Sequence, residues 1–202
     1  MRISPPAVPG RVLAPLAALT VIAVLDLVAS SRWWSLAVVG VLDEPAHLLT
    51  AWLVLRAVPG LRARSPLPWV LAGAVAIDVD HVPLYLWGGL ASTPEGRPVT
   101  HSLVTVLALA AVAVAGRRLR TPAIGLCVGV LLHFVRDVAT GPGLPLAWPV
   151  RVDSVLLPYG VYLGVVAACA VLAAVRTPAA DPLAAPGRPA ITARRRPGTG
   201  RR

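Results

Sequence analysis

The 202-residue chain contains no lysine, and charged residues of any kind make up only 14% of it. Soluble domains carry about 25% charged residues, so this composition argues against a soluble globular protein. Hydrophobic residues instead reach 56% of the chain, and the mean hydropathy is +0.74. The apolar residues lie in long runs, which are typical of membrane-spanning segments.

Cysteine is also scarce, since Cys127 and Cys169 are the only two in the chain. Both lie in apolar runs, far from a C-x-x-C spacing, and this excludes a zinc knuckle of the usual kind. We therefore expect two buried thiols and no disulfide.

A window of membrane-spanning length predicts six helices and hence an all-α, polytopic membrane bundle within residues 1–176. The predicted spans are Val12–Ala29, Leu36–Val58, Pro68–Leu90, Val99–Ala115, Pro122–Ala139 and Val155–Val175. A cleaved signal peptide is the alternative for the first span, but Asp26 interrupts the approach to any cleavage site. Residues 177–202 are rich in Arg and Pro and are expected to be a disordered tail.

All 19 basic residues are arginine, and their distribution predicts the orientation. With the N-terminus inside, the inner segments hold 15 arginines and the outer loops hold three. Positively charged loops stay in the cytoplasm, so both termini are expected there, in a multi-pass protein of the plasma (inner) membrane. The basic tail could be a nucleic-acid arm, but a segment that contacts membrane lipids is the more usual interpretation, and no nucleic-acid partner is expected.

Ionisable side chains interrupt four of the predicted spans. They are Asp43, Glu44, His47, Asp78, Asp80, His81, His101, His133, Arg136 and Asp137. In the predicted orientation all of these residues fall in the outer half of the membrane. The pairs Asp43/His47 and His133/Asp137 are four residues apart and so share a helix face. Charged groups at such depth are costly unless they compensate one another, which predicts that they converge on one site.

Imidazoles mixed with carboxylates, without thiolates, are typical ligands of a divalent metal such as Zn, Mn or Fe. The alternative is a salt-bridged polar core, but Arg136 is the only cation inside the spans. The number of candidate ligands exceeds what one four-coordinate ion needs, so one or two ions are expected. Asp43, His47, Asp78, His81, His101, His133 and Asp137 are the candidate metal ligands.

Three stretches, "AIDVDH", "RPVTHSLV" and "GVLLHFVRDVATGPGLPLAWPVR", resemble the membrane-bound metal-dependent hydrolases of the YdjM type. The resemblance runs from His47 to Trp148 and implies metal ligands within these motifs. The histidine that precedes the family's arginine is absent before Arg97, so Asp43 or Glu44 would have to substitute for it. The family is itself similar to zinc-dependent phospholipase C enzymes, which implies phosphoester chemistry.

The expected function is therefore hydrolysis of a phosphoester or lipid-linked substrate by metal-activated water. Asp80 or Glu44 would act as the catalytic base, and Arg136 and Arg151 would bind an anionic headgroup. Arg151 is equally interpretable as an interfacial anchor. Two other functions remain open, namely a metal or proton transporter that uses the same ligands and a non-catalytic scaffold held together by metal.

Overall fold

The computed structural model describes residues 9–64, 66–87 and 92–176, and the predicted disordered tail lies outside these residues. Helices account for most of the described chain, which contains no β-strand, so the all-α prediction is confirmed. The helices are α1 Pro9–Ser30, α2 Leu36–Ala57, α3 Pro59–Arg64, α4 Leu67–Ala76, α5 His81–Trp87, α6 Leu103–Ala115, α7 Arg120–Asp137 and α8 Tyr159–Val175. A 3₁₀ turn, Ile77–Asp80, joins α4 to α5.

Two helices of the described chain are long and apolar enough to cross a membrane, Val12–Ser30 within α1 and Ala37–Ala57 within α2. The apolar helices α6 and α8 are shorter, with 13 and 17 residues. At 1.5 Å per residue α6 is about 20 Å long, against about 30 Å for the hydrocarbon core of a bilayer. The six-span arrangement and its orientation therefore stay predictions.

The third predicted span is broken near its middle. The α-helix ends at Ala76, the 3₁₀ turn follows, and a new helix begins at His81. Pro83 cannot donate the hydrogen bond that a continuous helix would need, but it lies in the first turn of α5, where no such bond is made. This break brings two aspartates, Asp78 and Asp80, to a point where the chain changes direction.

Helix α2 is the centre of the bundle, because it packs on α1 and α8 with one face and on α4 and α7 with the other. Ile22, Leu53 and Val166 are fully buried between α1, α2 and α8. The outward faces are apolar as well, and Val114 on α6 is 88% exposed. Such an apolar exterior suits contact with lipid rather than with water.

Helices α4 and α7 approach each other closely through glycines. Gly125 and Gly129 on α7 are four residues apart and face α4, as in small-residue contacts between membrane helices. A Cβ atom at Gly129 would lie 2.7 Å from the Cα of Gly73. The close approach places His133 Nδ1 2.9 Å from the carbonyl oxygen of Ala74, which fixes the orientation of that ring.

We expect Gly129→Ala to lower the melting temperature of the detergent-purified protein, because overpacking of this kind costs about 1–3 kcal/mol. Gly164→Ala in α8 is the matched control, since its added Cβ would meet no atom within 4 Å. That variant should melt at or slightly above the wild-type temperature, because alanine favours a helix. Equal melting temperatures for the two variants would contradict the close packing of α4 on α7.

Candidate metal centre

The first group of potential ligands surrounds the 3₁₀ turn. It consists of Asp78, Asp80, His81 and His101, which offer ligand atoms within 4.8 Å of one another. His101, in the loop before α6, places Nε2 2.9 Å from Asp78 Oδ1 and Nδ1 3.1 Å from Asp80 Oδ2. His81 Nδ1 lies 2.9 Å from Asp80 Oδ1. The break in the third predicted span thus directs both aspartates to the same two histidines.

The second group joins α2 to α7. His47, His133 and Asp137 also offer ligand atoms within 4.8 Å of one another, and all three residues are fully buried. His133 Nε2 lies 2.9 Å from Asp137 Oδ2, and His47 Nε2 lies 3.4 Å from Asp137 Oδ1. The rings of His47 and His133 stack with centroids 3.7 Å apart and planes 7° apart.

The two groups form one continuous cluster. His133 Nε2 lies 3.4 Å from Asp78 Oδ1, and His101 Nε2 lies 3.5 Å from Asp137 Oδ2. Four segments that are remote in sequence therefore contribute to one site, namely α2, the 3₁₀ turn with the start of α5, the loop before α6, and α7. The structure brings together the four histidines and two of the three predicted aspartate ligands, Asp78 and Asp137, and it adds Asp80, which was predicted as a catalytic base.

The chemistry of this cluster fits a metal ion. Imidazole nitrogens and carboxylate oxygens converge at 2.9–3.5 Å, and two stacked imidazolium rings would repel each other. Asp137 Oδ1 is buried and accepts no hydrogen bond. Buried oxygens of this kind normally have a partner, and a divalent cation would supply one. The His/Asp cluster could therefore bind a metal, and the donor types alone do not select which metal.

A count of charge leads to the same conclusion. Six carboxylates belong to the cluster or to its immediate ion pairs: Asp26, Asp43, Glu44, Asp78, Asp80 and Asp137. Two guanidinium groups, Arg97 and Arg136, pair with them. With neutral imidazoles the net formal charge of these groups is −4, which two divalent cations would cancel.

Glu44 lies at the edge of the cluster, on α2. Its Oε2 atom is buried and accepts no hydrogen bond. With Asp78 and His81, Glu44 also lines a cavity of about 1120 Å³. A half-buried carboxylate that lines a cavity and has one oxygen without a hydrogen bond can accept a proton from a molecule bound there.

Arg136 connects the cluster to α1 and α8. Its guanidinium donates to Asp43 on α2, with an Nε–Oδ1 distance of 2.7 Å, and to Asp26 on α1, with an Nη2–Oδ1 distance of 2.5 Å. It also donates to the hydroxyl of Tyr162 on α8 at 3.1 Å. Asp43 in turn lies 3.2 Å from His47 Nε2. The structure thus gives Arg136 an ion-pairing role, which corresponds to the salt-bridged alternative, and its predicted binding of an anionic headgroup stays a prediction.

The structure does not bring Arg151 to the cluster. Its side chain is 69% exposed and pairs with Asp153, the Nη2–Oδ2 distance being 2.9 Å. It is absent from the residues that line the cavity beside Glu44.

Two residues near the site were missed as candidates. The sequence analysis treats Asp26 only as a charge within the first predicted span, although Arg136, in the fifth predicted span, needs acidic partners. Arg97 was placed in an outer loop, but it is 7% exposed, and its Nη1 lies 3.2 Å from Asp137 Oδ2. It also donates from Nε to the carbonyl of Gly143 at 3.1 Å. The feature of the sequence that could have identified Arg97 as a site residue is its position just before "THS", which contains His101.

The family model for the YdjM inner membrane protein matches residues 42–188. The chain belongs to this family. The resemblance seen in the motifs is therefore confirmed, and with two apolar helices of membrane-crossing length it supports a membrane location. A search of curated proteins and a search of solved structures each found no significant match. The YdjM match includes every ligand of the cluster, whereas α1 and Asp26 precede it.

We expect Arg136→Gln to lower the melting temperature strongly, because it removes a buried guanidinium and leaves the half-buried carboxylates Asp26 and Asp43 without a countercharge. Breaking a buried pair in this way costs about 3–5 kcal/mol. Arg151→Gln, which breaks the exposed pair with Asp153, is the matched control and should melt like wild type. Adding Asp26→Asn to Arg136→Gln should restore part of the loss. Equal effects of the two single substitutions would exclude the ion-pairing role of Arg136.

Proposed function

We propose that this YdjM-family protein is a membrane-embedded metal-dependent hydrolase of phosphoester or lipid-linked substrates. The observation that carries the proposal is the continuous His/Asp cluster beside a cavity. A purely structural cluster has no need of such a cavity, whereas a hydrolase must admit both a substrate and water.

The two ligand groups would hold two ions, and we propose zinc for both, since imidazoles and carboxylates are among its usual ligands. His47, His133 and Asp137 would hold one ion, and Asp78, Asp80, His81 and His101 the other. A divalent ion bound there supplies Lewis acidity and lowers the pKa of a water molecule toward neutrality. Arg97 keeps Asp137 oriented through their ion pair.

Of the two predicted proton acceptors, Glu44 is better placed than Asp80. The carboxylate of Asp80 is already engaged by the hydroxyl of Thr100 and by the rings of His81 and His101. Glu44 lines the cavity, whereas Asp80 is not among the residues that line it. Glu44 would therefore take the proton from the attacking water, and Asp80 would serve as a ligand.

The site would lie in the outer half of the membrane, in a chain that crosses it six times with both termini in the cytoplasm. The support is the asymmetric distribution of arginine described above. Labelling with an impermeant thiol reagent in intact cells tests this orientation. Ser92→Cys should react and Thr121→Cys should not, and the reverse pattern would overturn it.

Transport of a metal or a proton is less well supported. A conduction path needs polar groups that continue across the membrane. Next to the cluster, however, α2, α4 and α7 pack through an apolar layer that contains Ala51, Leu55, Val70, Ala74 and Leu132. This layer provides no further ligand on that side of the described chain.

We expect Asp137→Asn to abolish zinc-dependent hydrolysis of a chromogenic phosphodiester, bis(p-nitrophenyl) phosphate, by protein purified in detergent. The amide keeps the shape of the side chain but removes the negative charge that would bind a cation. The loss of turnover should exceed about 100-fold, and His133→Gln should behave alike. Arg120→Gln, at the exposed start of α7, is the matched control and should keep wild-type turnover. Full turnover by Asp137→Asn would show that this residue of α7 does not contribute to the reaction.

A further inference from the structure

The cavity beside the cluster has a polar end and an apolar end. It lies between α1, the N-terminal half of α2, the start of α8 and the loop that follows α7. Glu44, Asp78 and His81 line the end next to the metal ligands. Alanine, leucine and valine side chains line much of the rest: Ala23, Leu27, Ala37, Val39, Val41 and Leu163.

The size of this cavity favours an amphipathic molecule. Its volume of about 1120 Å³ exceeds the usual range for small-molecule sites, which is about 300–1,000 Å³. A phosphate group alone would occupy only its polar end. Apolar walls stabilise a bound molecule only where it presents apolar surface to them.

A second cavity of about 490 Å³ adjoins the first. It lies between α1 and α8, and its lining includes Ala23, Leu27 and Leu163, which also line the first cavity. Apart from Thr20, every residue that lines it is apolar. It follows α1 from Leu19 to Leu27, a length of about 12 Å. The two cavities thus share part of their walls, and the second forms an apolar groove next to the cavity that reaches the metal ligands.

The groove opens to the outside of the bundle along α1. Val24 and Leu27, which line it, are 51% and 69% exposed. Asp26 on α1 accepts a hydrogen bond from the hydroxyl of Tyr159 on α8 at 2.6 Å, which joins the two helices next to the polar end. An apolar chain could therefore enter from the bilayer between α1 and α8 while its head stays at the cluster.

The guanidinium groups near the cavity are already engaged by protein acceptors. Arg97 pairs with Asp137 and donates to two backbone carbonyls, and Arg136 pairs with Asp26 and Asp43. An anionic head would consequently be attracted by cations held in the cluster and not by a free arginine. A phosphoester held by such cations would lie in the part of the cavity that Glu44, Asp78 and His81 line.

We propose that the two cavities bind a long-chain lipid phosphoester, with the phosphoester at Glu44, Asp78 and His81 and the alkyl chain between α1 and α8. This assignment rests on the proposed hydrolase function. In the reaction, the oxygen of a water molecule bonds to phosphorus and the ester P–O bond breaks. Glu44 accepts the proton that the water loses, and the leaving oxygen departs with the bond electrons.

Two chromogenic substrates that differ only in chain length test this assignment. They are methyl p-nitrophenyl phosphate and hexadecyl p-nitrophenyl phosphate, assayed on the zinc-loaded, full-length protein in detergent. Ala23→Phe should lower kcat/KM for the hexadecyl ester by about tenfold more than for the methyl ester, because Ala23 lines both cavities. Leu13→Phe places the same side chain on the exposed face of α1, away from both cavities, and should change neither rate. Equal effects of Ala23→Phe on the two esters would overturn the assignment.

Photolabelling tests the chain path without any turnover. A 16-carbon alkyl phosphate that carries a diazirine at the end of its chain should label α1 and α8 between Leu19 and Leu27 and between Leu163 and Ala167. Ala23→Phe should remove this labelling, whereas Leu13→Phe should not. Labelling that persists in Ala23→Phe, or that falls equally on α6, would contradict the proposed path. Failure to hydrolyse either ester would count against the hydrolase function, and the labelling would still decide the lipid site.

Discussion

Neutralisation of buried acidic charge is the constraint on which the rest of this structure depends. In the part of the chain that the structure describes, six carboxylates meet in and around the cluster, and two guanidinium groups pair with them. Arg136 balances part of the charge and in doing so ties α1, α2 and α8 to α7. Arg97 does the same between the loop before α6 and Asp137. A bound cation would neutralise the negative charge that remains at the site.

Close helix packing provides the geometry that this charge balance needs. The glycines of α7 bring its backbone against α4, and this contact fixes the ring of His133 beside Asp78. The break after Ala76 then turns Asp80 toward His81 and His101. Helices α1 and α8 pack less closely than α4 and α7, and the apolar groove lies between them. The same bundle is therefore closely packed around the ligands, and we propose that a lipid chain enters where the groove lies.

The sequence predicted the helical class and the convergence of its histidines, because helix periodicity and the cost of isolated buried charge act locally and strongly. Asp80 was predicted as a site residue because Pro83 favours a kink or a helix end near it, but the 3₁₀ turn that directs its side chain to His81 and His101 was not predicted. The pairing of Asp26 with Arg136, which depends on how α1 packs on α7 and α8, was also missed. The spacing of ligand residues within one helix can be read from the sequence. The partner of a single charged residue depends on how the helices pack, which the sequence does not show directly.

Metal analysis of the purified full-length protein tests the central claim most directly. After zinc loading and removal of free metal in detergent, the account predicts close to two zinc ions per chain. Asp137→Asn should retain fewer, and chelation should lower the melting temperature of the wild type. Zinc at background level in the wild type, together with a melting temperature that does not respond to added zinc or to chelator, would contradict the account.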